Sequence, residues 1–283
     1  MRCGMIKLLR AGFRRAFKSI IFWLGLCASL LLGIISAINT RTCQYLDDVY
    51  IMPFFVIIAI VVALIIGTEH SDGSFRNKIV AGHSKGNIYF ANLIVFLTFS
   101  LLVVLLYLGI FALLMIGHIS TFPTYALIVS AVGFVLVTLS YTVILVSVSM
   151  MISQRAINAV VCILLVLATV FSIYVIDDML GHSQFIEITT IVNGEAHAIR
   201  EPNPKYIGGT PRTVLQNIEM FIPYGAMIEY SEIVDPCFAD YNITLSLPAE
   251  RVEQLKIMPI YSTTVSVVVG LLGWALFRKK ELK

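Results

Sequence analysis

Apolar residues gather along this chain in six long runs, at residues 20–38, 51–67, 90–116, 125–152, 157–176 and 259–277. A helix needs roughly 20 mostly apolar residues to cross the hydrocarbon core of a bilayer. None of the six runs contains Asp, Glu, Lys or Arg. The pattern predicts six transmembrane helices and an all-α polytopic membrane fold. Pro53 lies near the start of the second run and Pro259 opens the last, positions where a missing N–H costs a helix least.

The segments around the runs differ in kind. Residues 1–19 read as an amphipathic helix, with Lys7, Arg10, Arg14 and Lys18 on one stripe and Ile6, Leu9, Phe13 and Phe17 on the next. Such a helix lies in the membrane interface and draws on anionic lipid. Residues 39–50, 117–124 and 153–156 are short connections, whereas 68–89 is a polar, basic loop. Residues 177–258 form a long polar region. Within it, Phe185 to Val192, the pair Asn193-Gly194 and Glu195 to Ile199 carry a hairpin signature. Thr213 to Phe221 and Ala249 to Ile257 read as short helices. The predicted organisation is an interfacial helix (1–19), helices one to five (20–176) with an inner loop (68–89), an external α+β insert (177–258), and a sixth helix with a basic tail (259–283).

Charge sets the orientation. Fourteen of the twenty Lys and Arg fall in the N-terminal segment, the 68–89 loop, the Arg155 turn and the C-terminal tail, all on one side if there are six spans. Cytoplasmic segments carry this excess, and long loops cross the membrane largely regardless of charge. Both termini are therefore expected in the cytoplasm of a cell (plasma) membrane, with the insert outside. The insert holds twelve of the seventeen Asp and Glu. Composition agrees: 58% of residues are hydrophobic and 13% charged, about half the charged share of soluble domains.

Chemistry is notable for what the runs lack. Charges inside a membrane usually mark ion or proton pathways, so their absence argues against a proton- or sodium-coupled transporter. The fourth run holds Ser130, Thr138, Ser140, Thr142, Ser147 and Ser149, and Gly25, Ser29 and Gly33 form a small-residue stripe in the first. Helix packing explains both better than a substrate path. Gly82-His83-Ser84-Lys85-Gly86 matches G-x-S-x-G, but a nucleophile elbow needs a strand-turn-helix setting, and this match sits in a loop between two spans. No P-loop, zincin or CxxC motif is present. The chain is not expected to be an enzyme, to hold a metal or cofactor, or to bind nucleic acid.

The 68–89 loop is the most patterned stretch. Glycines punctuate it at Gly73 and Gly82, and between them Phe75, Ile79 and Val80 alternate with Arg76 and Lys78 as in a short helix that can present a face to a partner. The run Gly67, Glu69, Gly73, Arg76, Lys78, Gly82, Ser84 and Lys85 directly after the second span resembles the inner-loop pattern of ABC-2 type permeases, the six-span subunits of many bacterial ABC exporters. The basic N-terminal helix, the insert before the last span and the closing Phe277-Arg278-Lys279-Lys280 agree with that resemblance. More weakly, Phe221-Ile222-Pro223-Tyr224-Gly225-Ala226 resembles the Pro-x-Gly element of such inserts. The resemblance implies a cytosolic ATPase subunit that holds ATP and Mg, and a second permease, either a copy or a related chain. It further implies an ATPase-coupling loop containing Glu69, Gly73, Phe75, Arg76, Lys78 and Gly82. The exported substrate stays open among peptide, drug and lipid. A membrane sensor or peptide-immunity module acting through the insert is the alternative, and a membrane-embedded enzyme is a further rival that the missing motifs disfavour.

On this topology Cys43 and Cys237 are the two cysteines on the outer side of the membrane. Disulfides persist there, so the pair is either a bridge pinning the insert to the first span or two free thiols. Mass spectrometry of non-reduced peptides distinguishes them, and free-thiol labelling of both residues in the native protein would exclude the bridge.

Overall fold

The computed structural model describes residues 2–43, 50–116, 124–192, 195–234 and 249–280. The elements in chain order are α1 (Arg2–Lys18), α2 (Ile20–Cys43), α3 (Ile51–Ser71), α4 (Ser74–Val80), α5 (Lys85–Leu114), α6 (Thr124–Met151) and α7 (Arg155–Leu180). The hairpin β1 (Phe185–Val192) and β2 (Glu195–Pro202) follows, then α8 (Gly209–Phe221), α9 (Pro223–Val234) and α10 (Ala249–Lys279). Helices α2, α3, α5, α6, α7 and α10 each carry a stretch long and apolar enough to cross a membrane, six in all among the described residues. The chain is a multi-pass, membrane-embedded α-helical protein.

Helix α3 is the axis of the bundle. Its sequence is apolar on every side, as a helix surrounded by others must be. In its apolar stretch 61% is buried, against 22% in α7 and in α10. It packs on α7, α6 and α2, while α2 also lies along α5 and α10 along α6. The outward faces of the peripheral helices stay apolar: Leu24 and Leu31 on α2, Leu164 and Phe171 on α7, Leu271 and Leu272 on α10 are all exposed. Water does not tolerate such a belt, and lipid does.

Between helices in lipid the hydrophobic effect adds little, so close packing and polar contacts hold them. The small-residue stripe of α2 does this. Ser29 is fully buried, and a Cβ on Gly33 would strike Ile110 and the Tyr107 backbone of α5. The hydroxyls of α6 are likewise consumed inside the bundle. Thr142 Oγ1 donates to Ser100 Oγ of α5 at 2.6 Å, and Ser140 Oγ to the Ser262 carbonyl of α10 at 2.7 Å. Tyr89 OH lies 2.8 Å from Ser147 Oγ and donates to the Gly270 carbonyl at 3.1 Å, joining α5, α6 and α10. Asn158 Nδ2 donates to Ser149 Oγ at 2.6 Å and to the Ala63 carbonyl at 2.9 Å, joining α7, α6 and α3. Ser130 alone of the six has a buried hydroxyl with no partner among the described residues.

The insert departs from expectation in two ways. The hairpin pairs as its sequence suggests, from Phe185 with Pro202 to Val192 with Glu195, which leaves two residues for the turn. Residues 249–257, expected as a separate short helix, instead form the first turns of α10, which runs unbroken through Pro259. The proline removes one backbone donor but does not end the helix. Secondly, α9 was not expected, and it is the insert's anchor. Pro223 takes the first helical position, and the chain turns back so that Tyr224, Ala226, Met227 and Ile228 are buried. They pack among α6, α7 and α10, with the Tyr224 ring 6.2 Å from Phe55 of α3. Arg212 of α8 donates to the Leu180 carbonyl at 2.9 Å, satisfying the end of α7. Cys237 and the side chain of Cys43 lie outside the described residues.

Candidate functional site

The two poles of the bundle are unlike. At one, the α8–α9 elbow closes over the helix ends. At the other lie α1, α4, the turn into α7 and the end of α10, together with most of the basic residues. This basic pole gathers every residue of the patterned loop.

Helix α3 reaches the pole by passing very close to α7: a Cβ on Gly67 would meet the Arg155 backbone at 3.0 Å. It ends at Ser71, and Gly73, at φ 66°, turns the chain into α4. Left-handed backbone of this kind favours glycine. The other end of α4 is a Schellman motif. The Gly82 N–H donates to the Ile79 carbonyl at 2.9 Å and the His83 N–H to the Lys78 carbonyl at 3.1 Å. Gly82 sits at φ 84°. Ser84 then caps α5, its side chain accepting from the Asn87 N–H at 3.3 Å. The G-x-S-x-G match is thus a helix C-cap followed by a helix N-cap, with its serine used as the cap.

One carboxylate organises the pole. Glu69 is 3% exposed. Its Oε2 accepts from Lys78 Nζ of α4 at 2.7 Å, and its Oε1 pairs with Arg15 Nη1 of α1 at 2.6 Å. A buried carboxylate needs such partners, because an unpaired one in low dielectric is costly. Phe75 is the second fastening. It is 2% exposed, 4.3 Å from the His70 ring, with the Lys78 amine 5.0 Å above it. The tail closes the same pole. Phe277 is buried beside Phe75, Lys280 Nζ donates to the Met150 carbonyl at 3.2 Å, and Lys85 Nζ donates to the Lys280 carbonyl at 2.6 Å. Burial pushes the Lys280 amine below the usual lysine range.

Of the loop residues singled out above, Glu69, Phe75 and Lys78 therefore face inward and pin α4 to α3, while Gly73 and Gly82 shape its ends. Arg76, Asn77 and Val80 face outward, Val80 at 82% exposure. No protein-family model matches the chain, and no curated protein matches it. Among the described residues no group of His, Cys, Asp and Glu converges as a metal site would.

Helix α1 has three faces rather than two. Met5, Leu8, Gly12 and Ala16 point at the bundle; Leu8 and Ala16 are buried, and Gly12 lies against Val95 of α5. The stripe of Ile6, Leu9, Phe13 and Phe17 is the flank beside it, with Phe13 half-buried and Ile6 and Phe17 exposed. Lys7, Arg10, Arg14 and Lys18 take the remaining, exposed face. The elbow at Ser19 is held by aromatics: Phe17 and Phe22 lie 5.2 Å apart, and Trp23 Nε1 donates to the Phe17 carbonyl at 2.9 Å. Sequence reasoning missed Arg15, which lies off the basic stripe. The available signal was Glu69, which has only Asp72 as a fellow acid in the basic 68–89 loop.

Proposed function

We propose that this chain is the membrane-spanning subunit of an ATP-driven exporter of the ABC-2 permease type, with its basic pole in the cytoplasm and its insert outside. ATP and magnesium belong to a separate cytosolic ATPase subunit, and a second permease completes the path. The observation that carries the reading is the construction of α4. It is a two-turn helix held to the central span by a buried ion pair and a buried aromatic, with its outer face left free. A push on that face reaches α3, and through Arg15 also α1. The inter-helix use of the α6 hydroxyls supports a path between two permeases rather than along those serines.

Tagged full-length chain recovered from its native membrane should bring down a P-loop ATPase in stoichiometric amount. Arg76→Glu with Val80→Asp should cut that recovery by about tenfold, the scale of losing 1–2 kcal/mol at an interface. The same changes should leave thermal unfolding within about 0.5 kcal/mol, as expected of exposed positions. Undiminished recovery in the double variant would refute α4 as the docking face. Absence of any ATPase after crosslinking would turn the balance to the sensor reading.

A further inference from the structure

Helix α1 carries an open, basic groove along its exposed face. The exposed side chains of Lys7, Arg10, Ala11, Arg14, Arg15 and Lys18, all on this one helix, outline an open surface hollow of about 530 Å³. Cations three and four residues apart on one helix repel each other. Only Arg15 has a carboxylate partner, Glu69; among the described residues none pairs with Lys7, Arg10, Arg14 or Lys18. The groove therefore concentrates uncompensated positive charge at one spot.

The surroundings say what neutralises it. Directly beside the groove are exposed apolar side chains, Ile6 at 65% and Phe17 at 47%, followed by Trp23 at 52%. Only Ser19 separates α1 from the spanning helix α2, so the groove sits at a fixed level where α2 leaves the hydrocarbon. Tryptophan favours that level. At the same pole Arg278 stacks over Trp274, 5.9 Å from the ring, beside a hollow that also includes Lys85.

We propose that this groove binds the headgroup of an anionic phospholipid, with the phosphate among Arg10, Arg14 and Lys18 and the acyl chains along the Ile6–Phe17 flank. An acidic protein surface would neutralise the charge but leave the flank in water. A zwitterionic headgroup would cover the flank but bring its own cation. An anionic lipid satisfies both faces with one molecule.

The test uses the full-length chain in vesicles, in a Trp274→Phe background that leaves Trp23 as the single tryptophan of the two. Trp23 fluorescence is quenched with brominated phosphatidylglycerol or brominated phosphatidylcholine at equal mole fraction. A cation near the surface is worth about fivefold in affinity for an anionic headgroup. Brominated phosphatidylglycerol should therefore quench at several-fold lower mole fraction, and raised salt should narrow the gap. Arg10→Gln, Arg14→Gln and Lys18→Gln together should abolish the preference, while Arg10→Lys with Arg14→Lys, which keeps the charge, should retain it. Equal quenching by the two lipids would overturn the proposal, as would a preference that survives the triple change or is lost in the lysine variant. Competition by millimolar inorganic phosphate would overturn the assignment to lipid in favour of a soluble anion. No ATPase subunit takes part, so failure here leaves the exporter reading intact, and failure of that reading leaves this one.

Discussion

Removing both cations from Glu69, as Arg15→Ala with Lys78→Ala, is expected to destabilise the protein far more than the two single changes add up to. Either single variant leaves the carboxylate with one partner within 2.7 Å. Arg15 is 43% exposed in its side chain and Lys78 16%, so solvent screening holds the Arg15 change to about 1 kcal/mol or less. Lys78→Ala costs somewhat more, because its stem also covers Phe75. The double variant strands a carboxylate that is 3% exposed, and an uncompensated buried charge costs about 3–5 kcal/mol. Thermal unfolding of the four proteins in one detergent gives the coupling energy. Strict additivity would mean that Glu69 is solvated through another route. Adding Glu69→Gln to the double variant should restore much of the loss, since the stranded charge is then gone. The experiment also measures how firmly α1 and α4 are joined, because Glu69 is the charged link between them.

How much of this could be read from the chain depends on the kind of signal. Each membrane span is a local property: a run of apolar residues without charge, long enough to cross, forms a helix wherever it is placed. All six were legible, most with ends shifted by a few residues, as for Lys85–Leu114 against the apolar run at 90–116, although α10 starts ten residues ahead of its run. The hairpin was legible because Asn193-Gly194 and the alternation around it are also local. The patterned loop was legible as a helix between two glycines, since glycine tolerates the left-handed backbone that Gly73 and Gly82 both adopt. What could not be read was which face of each element meets which neighbour. Glu69 and Arg76 stand in the same loop pattern, yet one is buried in a charge pair and the other faces outward. Likewise α1 announces an apolar stripe of Ile6, Leu9, Phe13 and Phe17, of which Leu9 and Phe13 pack only partly buried, while the centre of its packing face is Leu8, Gly12 and Ala16. Small residues carry little hydrophobic signal, but they let backbones approach. Helix α9 escaped for a related reason. Its sequence is short and mixed, and its burial depends on α6, α7 and α10, which are distant in the chain or brought close only by the fold.

Gly225→Ala is the single substitution expected to disturb the opposite pole most. Gly225 lies in the first turn of α9, where the elbow between α8 and α9 meets α7. A Cβ there would overlap the Glu219 carbonyl oxygen, and it would lie 2.7 Å from Ile173 Cδ1. The isoleucine can turn aside, but the carbonyl belongs to the last turn of α8 and cannot. Relief therefore requires the whole elbow to move. Overpacking of a tight core costs about 1–3 kcal/mol, and more when backbone must shift. The buried residues on either side, Tyr224, Ala226, Met227 and Ile228, all depend on the elbow's position. Gly109→Ala is the control: nothing lies within 4 Å of its Cβ position, and in a helix interior alanine should be neutral or gain about 0.5–1 kcal/mol. The readout is a cysteine placed at Ala226, which is fully buried, and its rate of labelling by a hydrophilic maleimide against the same protein without it. That rate should rise at least about tenfold with Gly225→Ala, the scale of 1.4 kcal/mol in a local opening equilibrium. Slow labelling together with unchanged thermal unfolding in the Gly225→Ala protein would show that the elbow has room to give, and that α9 does not plug the bundle as tightly as its contacts imply.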